Sequence, residues 1–184
     1  MSTKIEIFET IVHRLKDWYM EENKITSIEK FNQSNDFSIL KLIKLHFFVT
    51  AINSNTDPIL LDKFEFFAMP YGPVETDIYR KIKDNSSFSN FSINNFKTTF
   101  IDNTPSTNID GAVNNSIDEA IITIKKIDSC FVNADAGSLV ELTHKWDSWK
   151  FVYAEAVRSG IYSKKIEKDL IVRDNKILNL QLVC

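Results

Sequence analysis

The sequence predicts a mainly α fold (α+β with a minor strand element): a compact domain of about six or seven helices around a central apolar helix, with a short strand before the Tyr71-Gly72-Pro73 turn. Two observations carry this expectation. The 184 residues contain only 4 glycines and 4 prolines, too few for the many tight turns of a barrel or sandwich. Apolar residues recur at three- and four-residue steps through most of the chain, the spacing of a buried helix face. Hydrophobic residues at 43% and charged residues at 26% are the balance of a globular chain. The length suits one domain over residues 1–184, with an N-terminal helix and connection over 1–35 and a polar loop insertion over 86–115.

The elements follow in order. Ile5, Phe8, Ile11, Val12, Leu15, Trp18 and Tyr19 form the apolar stripe of a helix over residues 4–22. Asn35 or Asp36 can cap a second helix over residues 37–52, in which 11 of 16 residues are apolar and lie on nearly all sides. A helix wrapped by others belongs at the centre of the core. Its polar residues share edges: Ser38, Lys41 and Lys44 on one, His46, Thr50 and Asn53 on another. Residues 54–62 read as a turn. Residues 86–115 hold 16 Ser, Thr and Asn among 30, with Phe88, Phe91, Phe96 and Phe100 interspersed, and read as a long loop with a short strand near 96–101. Ser116 and Glu119 match a capping box ahead of Ile117, Ala120, Ile121, Ile124, Ile127 and Phe131. Ser138 and Glu141 match another, although that helix can begin as early as Asp135. A further helix follows Asp147-Ser148 and stops at Gly160, and residues 161–171 can hold one more.

Several function classes are excluded or disfavoured. A net charge of −3 leaves no bulk electrostatic footprint for direct nucleic-acid or anionic-membrane binding. The run Lys164-Lys165-Ile166-Glu167-Lys168 reads as a solvated helix face. No secretory signal is expected from the start MSTKIEIFET, and no apolar run reaches the roughly 20 residues of a membrane span, so a cytoplasmic location is expected. Cys130 and Cys184 suit reduced, unpaired thiols. The cysteines and three histidines lack metal-ligand spacing, so neither metal nor cofactor is expected.

Chemistry is equally sparse. No phosphate loop, nucleophile elbow, HExxH or paired CxxC occurs. The acids are scattered over helix faces, where pairs such as Asp77 with Lys81 account for them. His46 reads as a hydrogen-bonded helix histidine and His144 as a bridge between packed helices, with a recognition surface as the functional alternative. Trp146 and Trp149 read as core residues, with binding anchor as the alternative.

The densest stretch is KFEFFAMPYGPVETDIYRKIK, residues 63–83. Phe64-Glu65-Phe66 alternates as a strand does, and Phe67 implies cover on both faces. Pro73 has the preset φ of a first helical residue. Glu75 and Asp77 near the start of that helix, with Arg80, Lys81 and Lys83 at its end, suit the helix dipole. Val74, Ile78 and Ile82 give it a buried face. The stretch is a strand–turn–helix corner with no catalytic requirement.

Three blocks together, FSILKLIKLHFFV (37–49), YGPVETDIYRKIK (71–83) and SLVELTHKWDSWK (138–150), resemble the Panacea domain, also called the SocA-like antitoxin domain. The most specific parts are Tyr-Gly-Pro-Val with its following Ile-Tyr pair, and Leu-Thr-His with a downstream Trp. The blocks span about residues 36–172. By position, Tyr71, Gly72, Pro73, Val74, Ile78 and Tyr79 match the first motif, and Leu142, Thr143, His144 and Trp149 the second. Lys145-Trp146 stand where the family usually has an acid, and His46-Phe47-Phe48 where Leu-Tyr-Phe is common.

The resemblance implies a helical, non-enzymatic antitoxin from a bacterial or phage toxin–antitoxin pair, type II-like, with phage defence as a setting. Such a protein neutralises a cognate protein toxin by direct binding, and the motif residues are the candidate partner contacts. The relative behind the SocA name implies an alternative, a proteolytic adaptor that delivers a client to the ClpXP protease. A small hydrolase using His46 or His144 with an acid is the third reading.

Overall fold

The computed structural model describes residues 2–84, 88–102 and 109–178. Helix α1 (Lys4–Glu22) matches the expected span and buries Phe8, Ile11, Val12, Leu15 and Trp18. It opens on a capping box between Thr3 and Glu6. A short helix α2 (Ile28–Ser34) precedes α3 (Ile39–Ala51). The cap of α3 is Ser38, whose hydroxyl accepts from the Lys41 N–H, not Asn35 or Asp36. Asn35 is spent elsewhere: buried, it bonds the backbone of Phe31, Phe37 and Thr98. The second half of the expected turn at 54–62 is α4 (Ile59–Lys63), formed because Leu60 and Leu61 reach the core.

The motif stretch departs from the corner expected of it. Strands β1 (Phe66–Met69) and β2 (Gly72–Glu75) form an antiparallel hairpin with Phe66 opposite Glu75 and Met69 opposite Gly72. Helix α5 (Thr76–Lys83) starts only after it, capped by the Glu75 carboxylate at the Ile78 N–H. Pro73 is therefore a strand residue and not the first residue of a helix. It lies on an outer strand of its sheet, where a missing N–H takes nothing from the ladder. Asp77 pairs with Lys4 and Arg80 and not with Lys81.

The polar segment is more ordered than expected. Strands β3 (Phe91–Ile93) and β4 (Thr98–Phe100) pair as a second hairpin, with Phe88, Phe91 and Phe100 in the core. Residues 85–87 and 103–108 of this region lie outside the described residues. Helix α6 (Gly111–Ile127) begins at the Asp110 cap, ahead of Ser116. The Ser116 hydroxyl instead donates to the Ala112 carbonyl within the helix.

A 3-10 turn (Phe131–Asn133), α7 (Ala136–Thr143) and α8 (Asp147–Arg158) follow. Asp135 caps α7 at the Ser138 N–H, and Gly160, at φ +71°, supplies the left-handed residue after α8. The lysine-rich run is not a helix face. It forms β5 (Lys164–Lys165), paired with β1, before buried Ile166 and α9 (Lys168–Arg173). Lys164 and Lys165 pair with Glu155 and Glu65. Cys130 is buried and disulfide-bonded, against the expectation of free thiols; Cys184 lies outside the described residues.

The fold is mainly α with a small amount of strand, and its described residues include more short helices than expected. Helix α3 is central, packed against α1, α4, α6, α7 and β2. Phe47 and Phe48 of α3 meet Phe66, Phe131 and Trp146 edge-to-face, the favourable aromatic geometry. His46 contradicts its expectation of a hydrogen bond. Among the described residues neither ring nitrogen has a protein partner, and the rings of Phe8, Phe64 and Phe66 enclose it. Burial lowers its pKa to about 3, so it is a neutral core residue.

Candidate partner-binding face

The three sequence blocks converge on the β1–β2 hairpin. Gly72 turns it at φ +94°, a conformation that side chains disfavour. A Cβ there would lie 2.2 Å from Thr143 Oγ1 and 3.1 Å from both Thr143 Cβ and Lys44 Nζ. The first motif therefore carries glycine because the other two blocks press against it. Lys44 Nζ donates to the Pro73 carbonyl at 2.8 Å, and Trp149 Nε1 donates to the Met69 carbonyl at 2.9 Å. His144 bonds the Pro70 backbone and stacks on Trp149 at 3.9 Å, which in turn stacks on Tyr153. Thr143, fully buried, donates its hydroxyl to the Val140 carbonyl at 2.7 Å.

Electrostatics follow from burial. Lys44 is wholly enclosed, its described hydrogen bond is to a neutral carbonyl, and desolvation lowers its pKa to about 7. His144 is also lowered, first by burial and further by the Lys44 charge, with the Pro70 bond opposing.

The expected contact residues thus divide in two. Gly72, Pro73, Val74, Leu142, Thr143 and Trp149 are buried and hold the hairpin in place. Tyr71 is 68% exposed and Tyr79 38% exposed, and His144 is half-buried. Tyr71 and Tyr79 line a groove of about 380 Å³ between α3, the hairpin and α5. Sequence reasoning missed its remaining wall: Ile39, Leu40 and Ile43 on α3, with Met69, Lys83 and Asn95. Leu40 is 37% exposed, and the all-round apolar pattern of its helix, which reads as burial, gives no signal of it. Beside Asn95, Phe96 is 82% exposed, the one phenylalanine of its hairpin outside the core.

Catalytic groupings are scarce. His46 is sealed from solvent, and His144 faces an indole and a backbone carbonyl instead of an acid. Among the described residues no cluster of His, Cys, Asp and Glu could hold a metal ion, and no helix is long and apolar enough to cross a membrane.

The buried scaffold presents an apolar groove at the surface. The family described as "Antitoxin SocA-like, Panacea domain" matches residues 42–150, more than half of the chain, and the protein belongs to that family. The matched region runs from within α3 to within α8 and so contains the whole hairpin scaffold. No curated protein and no solved structure matches the chain.

Proposed function

We propose that this protein is the antitoxin of a toxin–antitoxin pair and neutralises a protein toxin by binding it directly through the face around the β1–β2 hairpin. Family membership implies an antitoxin-type role and a protein partner. The observation that carries the finer reading is the groove, where Leu40, Tyr71 and Tyr79 stay exposed together beside a rigidly pinned turn. Clustered apolar side chains on a folded surface mark interaction sites, and tyrosine is a frequent anchor residue in them. The hydrolase reading loses His46 as a base, because phenylalanine rings enclose it, and is left with His144, which stacks on Trp149 and bonds the Pro70 backbone.

The test is co-expression with the reading frame adjacent in the source genome, scored by growth and by co-purification. Rescue with a stable complex, equally strong in a host lacking ClpXP, is the expected result. Rescue that requires ClpXP favours the adaptor reading, and a neighbour that is neither toxic nor bound overturns the antitoxin reading.

A further inference from the structure

The charge around the groove specifies what fits it. Among the described residues, its ionisable lining side chains are Lys44, which is enclosed and bonded to the Pro73 carbonyl, and exposed Lys83, and no carboxylate lines it. Among the described residues Lys83 has no ion-pair partner, and Arg80 lies one turn before it on α5. Of the acids near the groove, Glu75 and Asp77 pair with Lys4, Asp77 also with Arg80, and Asp36 with Lys41, while exposed Asp84 follows Lys83 in sequence but lies outside the groove lining. The first turn of α3 supplies Ile39 and Leu40 to the wall, and its N–H groups at Ile39 and Lys41 are taken by the Asn94 carbonyl and the Ser38 hydroxyl. The walls themselves are apolar: Ile39, Leu40, Ile43, Met69, Val74 and the two tyrosine rings.

We infer that the groove takes a segment of the partner protein in which large apolar side chains are flanked by carboxylates. The apolar side chains fill the space between α3 and the hairpin, and a carboxylate meets Lys83. This rests on the proposed antitoxin reading for the identity of the partner, but not for the chemistry of the groove. A like-charged segment would be repelled, which is how charge at an interface rejects wrong partners.

The full chain, labelled with nitrogen-15, is titrated with three capped hexapeptides: GDLFEG, the charge-swapped GKLFKG and the apolar-deleted GDAAEG. The expected result is saturable shifts of the Leu40, Met69, Tyr71 and Tyr79 amides with GDLFEG, and binding at least about tenfold weaker for the other two. Lys83→Glu, checked for an unchanged thermal midpoint, then reverses the preference between GDLFEG and GKLFKG. Equal binding of GKLFKG, shifts centred on another face, or no saturation by about 1 mM overturns the inference. So do concentration-dependent shifts of the same amides without peptide, which would mean that a second copy is the occupant. Co-expression separates the two readings. If the wild type rescues and Leu40→Lys rescues as well, the groove assignment falls and the antitoxin reading stands. If the wild type fails to rescue, the antitoxin reading falls and the peptide titration alone decides the groove.

Discussion

Replacing Gly72 by alanine adds one carbon at the point where all three motif blocks meet. Two independent penalties arise. At φ +94° a residue with a Cβ occupies a sparsely populated conformation, which costs about 1–3 kcal/mol. The new carbon also falls 2.2 Å from Thr143 Oγ1, which is held in place by burial and by its bond to the Val140 carbonyl. Forcing a carbon into a packed core costs about another 1–3 kcal/mol. The expected loss is therefore about 2–6 kcal/mol, read by urea denaturation at constant m-value. For a chain of this size each kcal/mol is about 2–4 °C of midpoint, so a central loss lowers the midpoint by about 8–16 °C. Thr143→Ala separates the two penalties. It removes the hydroxyl that clashes and leaves the backbone strain untouched, so Gly72→Ala should be milder in its presence by about 1–2 kcal/mol. A loss below about 1 kcal/mol, or strict additivity of the two substitutions, refutes the reasoning.

Three further outcomes follow from the same geometry. Lys44 releases its proton near pH 7 when folded and at its ordinary 10.5 when unfolded, so stability rises with pH across that window, by on the order of 5 kcal/mol. Lys44→Met should be more stable than wild type at neutral pH, with an advantage that shrinks as the pH rises; denaturation profiles that stay parallel would contradict this. His46, with its folded pKa near 3 against an ordinary 6.5, makes the wild type lose stability as the pH falls through that range, again on the order of 5 kcal/mol. His46→Leu should show a shallower acid limb, and superimposable limbs would refute the burial argument. Trp149→Ala removes the Met69 hydrogen bond and the His144 stack and should cost about 3–5 kcal/mol, whereas Tyr71→Ser should change stability by under about 0.5 kcal/mol and abolish toxin rescue.

Helix existence was legible where periodicity was long and unambiguous. The bounds of α1 and the centrality of α3 follow from apolar spacing alone. What escaped was decided by contacts distant in sequence. Pro73 reads as a helix start because its φ is preset, yet the strand context of β1 and an unused capping role for Glu75 move that start to Thr76. Asn35 reads as a cap, but its side chain is more completely satisfied by the backbone of Phe31, Phe37 and Thr98. Phe91 and Phe100 of the polar segment reach the core through a hairpin that no local rule of Ser and Asn content suggests. His46 shows the same effect at one residue: its edge of α3 is polar in sequence, but the fold surrounds it with phenylalanine.

The candidate site was legible in a different sense. Most of the motif residues are there for a structural reason, holding the β1–β2 hairpin in place. Glycine at 72, threonine at 143 and tryptophan at 149 are each fixed by an atom they touch or a carbonyl they bond, and each change there strains the hairpin before it touches a partner. A motif of this kind specifies a platform. The side chains free to vary without strain are those on the rim, Leu40, Tyr71, Tyr79, Lys83 and Asn95, of which only the two tyrosines belong to the residues singled out by the motifs. On the proposed reading, the choice of toxin then lies with rim chemistry. Exchanging Leu40 and Lys83 should alter which partner is bound while leaving the melting midpoint in place, and exchanging Thr143 or Trp149 should do the reverse.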